Sequence, residues 1–92
     1  MTKSDLISTL AQKMDLSDKT SEEIINLMFD EMADTLSSGG KIEIRGFASF
    51  TIREYKAYVG RNPKTGNSID VEQKKLPFFK VGKELKERIS KS

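Results

Sequence analysis

The 92-residue sequence has no cysteine, no histidine and no tryptophan. Without cysteine there is no disulfide to staple the fold and no thiolate to bind metal or attack a substrate. Without histidine the commonest general base and metal ligand is missing too. Carboxylates and lysines remain, but nothing groups them into a nucleophile–base pair. The chain is therefore not expected to be an enzyme, and it is assigned no catalytic residue, metal, cofactor or small-molecule substrate. Long hydrophobic runs are also lacking. No stretch approaches the roughly 18 apolar residues of a membrane span, and the polar N-terminus has no signal-peptide core. The expected location is the cytoplasm, with no membrane partner. There are no internal repeats, no linker and no low-complexity tract, so 1–92 reads as a single small domain. So short a chain buries a modest core, and with no staple it is expected to gain buried surface by oligomerising.

What is present is charge, unevenly spread. The net charge is only +2. Residues 1–40 hold three lysines against eight acids, a net of −5, while residues 41–92 hold thirteen cations against six acids, a net of +7. Such a split between halves points to a polyanionic partner for the second half. The plainer reading, a merely solvated surface, stands beside it until motifs are considered.

The acidic half reads as a helical base over about 2–38. Thr2 and Asp5 form a weak capping box, and Leu6, Ile7, Leu10 and Met14 recur at helical spacing. After a break at 15–18, Ser17 or Asp18 can cap a second helix that ends at Gly39-Gly40. Its apolar band, including Ile24, Ile25, Leu27, Met28 and Phe29, is too broad for a single-sided helix, and a second subunit is the simplest cover. From Lys41 the period changes to two. Ile42 and Ile44 alternate with Glu43 and Arg45, and Phe50 and Ile52 with Thr51 and Arg53, which predicts a hairpin closed by a turn at 46–49. Sheet and arm together occupy about 41–81. A short strand at 76–81, with Pro77 at its start or on an edge, precedes a last helix over about 83–90.

Between these lies Val59-Gly60-Arg61-Asn62-Pro63-Lys64-Thr65-Gly66-Asn67, a turn flanked by extended-type residues. Pro63 pre-sets a turn and Gly66 can supply a positive φ, with Arg61 and Lys64 as cations at the tip. The flanking strands have too little apolar surface to pack on both faces, so this hairpin is expected to project. From Tyr55 to Asn62 it spans roughly 26 Å at strand rise. An isolated two-stranded ribbon is marginal in water, so the arm is expected to be mobile until a partner orders it.

Three stretches in order, Arg45–Phe50, Gly60–Gly66 and Pro77–Lys86, give the chain a resemblance to the bacterial HU / integration host factor family of DNA-bending proteins. The resemblance covers essentially the whole chain. It implies an α+β fold forming an intertwined dimer: a helical base, a saddle-shaped antiparallel sheet, a long β-hairpin arm per subunit and a short C-terminal helix. It implies an architectural DNA-binding protein of the bacterial nucleoid, acting in DNA condensation, recombination and transcription regulation. Its partners would be double-stranded DNA and an identical or related subunit, as a homodimer or heterodimer. By position, Pro63 would intercalate, and Arg61, Asn62, Lys64, Lys56, Lys74 and Lys75 would serve the minor-groove arm. Lys3, Ser4, Lys80, Gly82, Lys83 and Lys86 would meet phosphates, and Phe29, Phe47, Phe50 and Phe79 would form the dimer core. The blander readings are a plain turn proline, solvated lysines and ordinary core aromatics.

Lys41–Phe47 and the opening Met1-Thr2-Lys3-Ser4 look most like the beta subunit branch of that family, where Glu43 and Arg45 would take part in sequence readout. Otherwise they form an exposed pair of small energetic value. Two departures stand out. Ala48 replaces the family's usual glycine, which suggests a different turn geometry. Residues 53–75 carry six cations against three acids, a net of only +3, so arm binding is expected to be weaker and less salt-dependent than is typical. A competing class is a protein-interaction module that uses the exposed β-hairpin to extend a partner's sheet.

Overall fold

The computed structural model describes residues 1–91. Two helices come first, α1 (Lys3–Met14) and α2 (Asp18–Ser37). The capping box is formed. Thr2 N–H donates to the Asp5 carboxylate at 2.8 Å, and Asp5 N–H donates to Thr2 Oγ1 at 3.1 Å. Ser17 caps α2 by accepting from Thr20 N–H at 3.1 Å. The helices lie against each other at Ser21, which is fully buried and donates its hydroxyl to the Ile7 carbonyl at 2.6 Å. A small side chain allows the close approach, and the hydrogen bond removes the cost of burying its oxygen.

Five antiparallel strands follow: β1 (Ile42–Ile44), β2 (Ala48–Tyr55), β3 (Tyr58–Arg61), β4 (Ser68–Val71) and β5 (Lys74–Val81). Helix α3 (Lys83–Ser90) ends the described chain. The α+β class is as expected, with the strands forming a three-stranded sheet in the order β1-β2-β5 and a separate ribbon of β3 and β4. Pro77 lies on the edge strand β5, where its missing N–H breaks no ladder on the open side.

Three boundaries differ from expectation. The first turn is Arg45–Phe47 rather than 46–49, with positive φ at Gly46 (78°). Ala48 is therefore a buried strand residue opposite Ile44 and Val81, and its Cβ leaves the turn undisturbed. β5 begins two residues earlier than predicted, because Lys74 and Lys75 pair with Tyr55 and Glu54. The arm is also not one continuous ribbon with the body. Lys56-Ala57 and, opposite, Glu72-Gln73 interrupt both strands at the same level.

Residues directly opposite in an antiparallel pair share a face. Ala48, Phe50 and Ile52 thus lie with Val81, Phe79 and Pro77. This is the helix side, since Leu36 of α2 lines a cleft with Ile52 and Pro77. The other face carries Ser49, Thr51, Arg53 and Tyr55 with Lys80, Phe78, Leu76 and Lys74. Among the described residues the only buried apolar ones are Ala11, Ile25 and Ala48. Leu27 is 62% exposed and Phe79 51%, with Met28, Phe29 and Phe47 exposed as well.

Candidate nucleic-acid interface

The outer face of the sheet carries Lys80, Arg53 and Lys74 along β2 and β5. Near β1 it holds an open groove lined by Glu43, Arg45, Ser49, Lys80 and Gly82. Glu43 lies opposite Ser49, which lies opposite Lys80, so an acid, a hydroxyl and a cation cross the sheet in one rung. Glu43 is paired with Lys41 at 3.0 Å instead of with Arg45. Farther along, the guanidinium carbon of Arg53 lies over the Phe78 ring, 3.4 Å from its centroid. Neither residue of that pair was singled out from the sequence. The alternation of β2 places Arg53 on the outer face, but Phe78 joins it only once the β2–β5 register is known.

The start of α3 borders the groove. Gly82 N–H donates to the Phe47 carbonyl at 2.7 Å, and Leu85 N–H to the Gly46 carbonyl at 3.0 Å. A Cβ at residue 82 would meet the Phe47 carbonyl oxygen at 2.9 Å, so glycine is what lets the helix sit on the turn. Gly82 therefore arrives with its own amide engaged. The amides of Lys83 and Glu84 open the helix and have no intrahelical acceptor. Lys83 and Lys86 line one shallow depression along α3 with Lys91. Lys3 and Ser4 lie elsewhere, in a depression they share with Asp18 and Glu22.

The tip of the arm is tightly organised around Asn62. Its N–H donates to the Asn67 carbonyl at 2.8 Å, and its carbonyl accepts from Gly66 N–H at 2.7 Å. Its side-chain Oδ1 accepts from Lys64 N–H at 2.9 Å, which fixes the amide orientation and points Nδ2, a pure donor, elsewhere. Gly66 closes the loop at φ 75°, a conformation that a Cβ disfavours. Pro63 stands exposed at the apex. Behind it, Arg61 and Ser68 share a face with Val59 and Asp70, so an acid lies one pair of residues from Arg61. Lys64 is exposed at the tip and Lys56 at the strand break, while Lys75 is drawn to Glu54 at 3.4 Å. Of the four phenylalanines expected at the dimer core, Phe50 and Phe79 touch, with centroids 5.4 Å apart.

Residues 1–90 match the family described as bacterial DNA-binding protein. The chain belongs to that family. Within the family it is similar to the integration host factor beta subunits of Shewanella baltica (53% identical) and Shewanella pealeana (52%), each over 90 residues. Those matches cover 97% of this chain and 95% of the relatives. An Anabaena HU–DNA cocrystal structure superposes with a TM-score of 0.86 at 32% identity, over the whole of both chains. A mutant HU from Thermotoga maritima gives 0.71 at 30%, covering 97% of this chain and 99% of that one. Family membership places the chain among architectural DNA-binding proteins and sets aside an enzymatic role. No helix among the described residues is long and apolar enough to cross a membrane.

Proposed function

We propose that this single domain, 1–92, is one subunit of a dimeric nucleoid protein that bends duplex DNA with its arm in the minor groove. The observation that carries the reading is the exposed Pro63 at the end of a projecting ribbon, held by the hydrogen bonds of Asn62. A compact chain of this length has a radius of gyration of roughly 12 Å; this one has 19.1 Å and a long axis of 59 Å. A rigid ring on a rigid tip suits a wedge between base pairs. In minor-groove architectural proteins generally, HU and integration host factor among them, such a wedge costs a few kcal/mol of unstacking, offset by contact along bent DNA. Arg61 and the Nδ2 of Asn62 suit the acceptor-rich groove floor, with Lys56, Lys64, Lys74 and Lys75 along the arm.

Lys80, Lys83 and Lys86 would meet phosphates beside the α3 N-terminus, with the free amides of Lys83 and Glu84 taking the anion-facing place first expected of Gly82. Lys3 and Ser4, apart from them at the start of α1, would meet phosphates of their own. Glu43 and Arg45, in the groove, are the candidates for sequence readout. Dimerisation accounts for the exposed Leu27, Met28, Phe29, Phe47 and Phe79, which would close a common core with Phe50. The likeness to beta subunits favours a related second subunit.

The test of the wedge is Pro63→Ala, read by energy transfer across a labelled duplex and by gel shift. The bend angle should fall more than the affinity does. An unchanged bend angle rules the wedge out. Native mass spectrometry of the purified chain, with and without duplex, separates self-pairing from the need for a second gene product. Competition between random duplex and a candidate site tests Glu43 and Arg45, and a ratio near unity removes the site-specific role.

A further inference from the structure

We propose that Tyr58 is a positioning residue of the arm: its ring covers Gly60 and stiffens the strand that carries the tip. Its effect on DNA rests on the reading above, while the contact itself stands in the free chain. Tyr58, Gly60, Ile69 and Val71 share one face of the ribbon, with Tyr58 opposite Val71 and Gly60 opposite Ile69. A Cβ placed at residue 60 would meet Tyr58 Cε2 at 3.4 Å and Val71 Cγ2 at 3.8 Å. The ring therefore reaches along its own strand, and the valine methyl reaches across, to the space that a side chain at residue 60 would fill. Gly60 and Val71 are half-buried, whereas the other residues of β3 and β4 are exposed. Those two residues are the whole interior of the arm.

Gly60 is the weak point of its strand. A glycine inside a strand has no side chain to pack, and ordering it costs more freedom than ordering any other residue. It also lies directly behind Arg61 and Asn62, where looseness would pass on to Pro63. An aromatic ring set against a strand glycine makes up the missing contact. Here the ring ties the first residue of β3, beside the gap at Lys56-Ala57, to the third, next to the tip. The opposite face is open, with Val59 69% exposed across from Asp70. One aromatic side chain thus lets the segment beyond the gaps hold its shape as a single piece, and less freedom is lost when it meets a duplex.

The experiment is a double-mutant cycle on the full chain: Tyr58→Ala, Gly60→Ala, both together, and Tyr58→Phe. In the free protein, NMR should show a nuclear Overhauser effect between the Tyr58 ring and the Gly60 Hα protons. Tyr58→Ala should speed amide exchange in β3 and β4 about threefold, with the Tm and the β2–β5 amides unchanged. Titrated against random-sequence duplex at several salt concentrations, it should bind about threefold more weakly. The salt slope should be kept, because no charge is removed. Tyr58→Phe keeps the ring and should match the parent in every readout. Alanine fits the space at residue 60, so in the Gly60→Ala background the losses from Tyr58→Ala should shrink below about twofold. Parental exchange rates in Tyr58→Ala overturn the proposal, as does faster exchange with the parent's affinity. Equal losses with glycine or alanine at residue 60 overturn the covering of Gly60. A Tyr58→Phe variant as impaired as Tyr58→Ala would move the effect to the hydroxyl and overturn the role of the ring. A parent chain that binds no duplex fails the DNA-binding reading, and the ring contact is then still judged by the exchange rates.

Discussion

Gly82 and Lys83 are neighbours at the start of α3, and their chemistry divides cleanly. Gly82 is constrained by packing: its amide is held by Phe47 at 2.7 Å, and a methyl group there would press on the same carbonyl. Gly82→Ala should therefore destabilise the fold by about 1–3 kcal/mol, the cost of overpacking against backbone that cannot yield. Differential scanning calorimetry should show a lower Tm, and an unchanged transition would mean that helix and turn separate easily. Lys83 is constrained by nothing internal. Lys83→Ala should leave the Tm alone, weaken binding to all duplex sequences about equally and reduce the salt slope by about 1. A slope equal to the parent's would place Lys83 outside the phosphate contacts. The same contrast explains what could be read early. A lysine near a helix start is visible in a sequence, whereas a glycine's amide is committed only by the turn that folds against it.

At the scale of elements, the paired gaps at Lys56-Ala57 and Glu72-Gln73 divide the ribbon from the sheet. Four backbone positions leave the ladder at one level, so the arm is joined to the body by two short unpaired links. In the free protein, amides of β3 and β4 should exchange much faster than those paired between β2 and β5. Adding duplex should slow them, and uniform protection of both regions without DNA would refute the hinge. Period-two alternation from Ile42 onward located the strands, and the helices followed from caps and spacing. The gaps left a weaker trace. Lys, Ala and Glu are poor strand formers, but a run of two carries little weight against Tyr55, Tyr58 and Val59 on either side. Ser21 gave no signal at all, because its burial depends on where two helices cross. The Arg53–Phe78 stack, like the Glu43–Ser49–Lys80 rung, needed the register of strands distant in sequence. Pro63, Arg61 and Asn62 stood out sooner because turn chemistry is local.

The whole molecule is polarised. An acidic helical base supports a cationic sheet, and the ribbon extends the long axis to 59 Å. The three buried apolar residues among those described are far fewer than a stable domain of this size requires, while Leu27, Met28, Phe29, Phe47 and Phe79 remain open. Folding and subunit association should therefore be one event. The Tm should rise with protein concentration, and analytical ultracentrifugation should find no folded monomer above trace levels. A Tm independent of concentration would show that the single chain is sufficient.

That thin interior also bears on supply and turnover in the cell. A polypeptide that completes its core only with a companion is exposed to proteases for as long as it waits. With the related second subunit proposed above, surplus chain would be degraded and its standing level would follow that of the scarcer companion. Gene dosage of one subunit would then set the amount of both, and changing the expression of this chain alone would alter its turnover before it altered the amount bound to DNA.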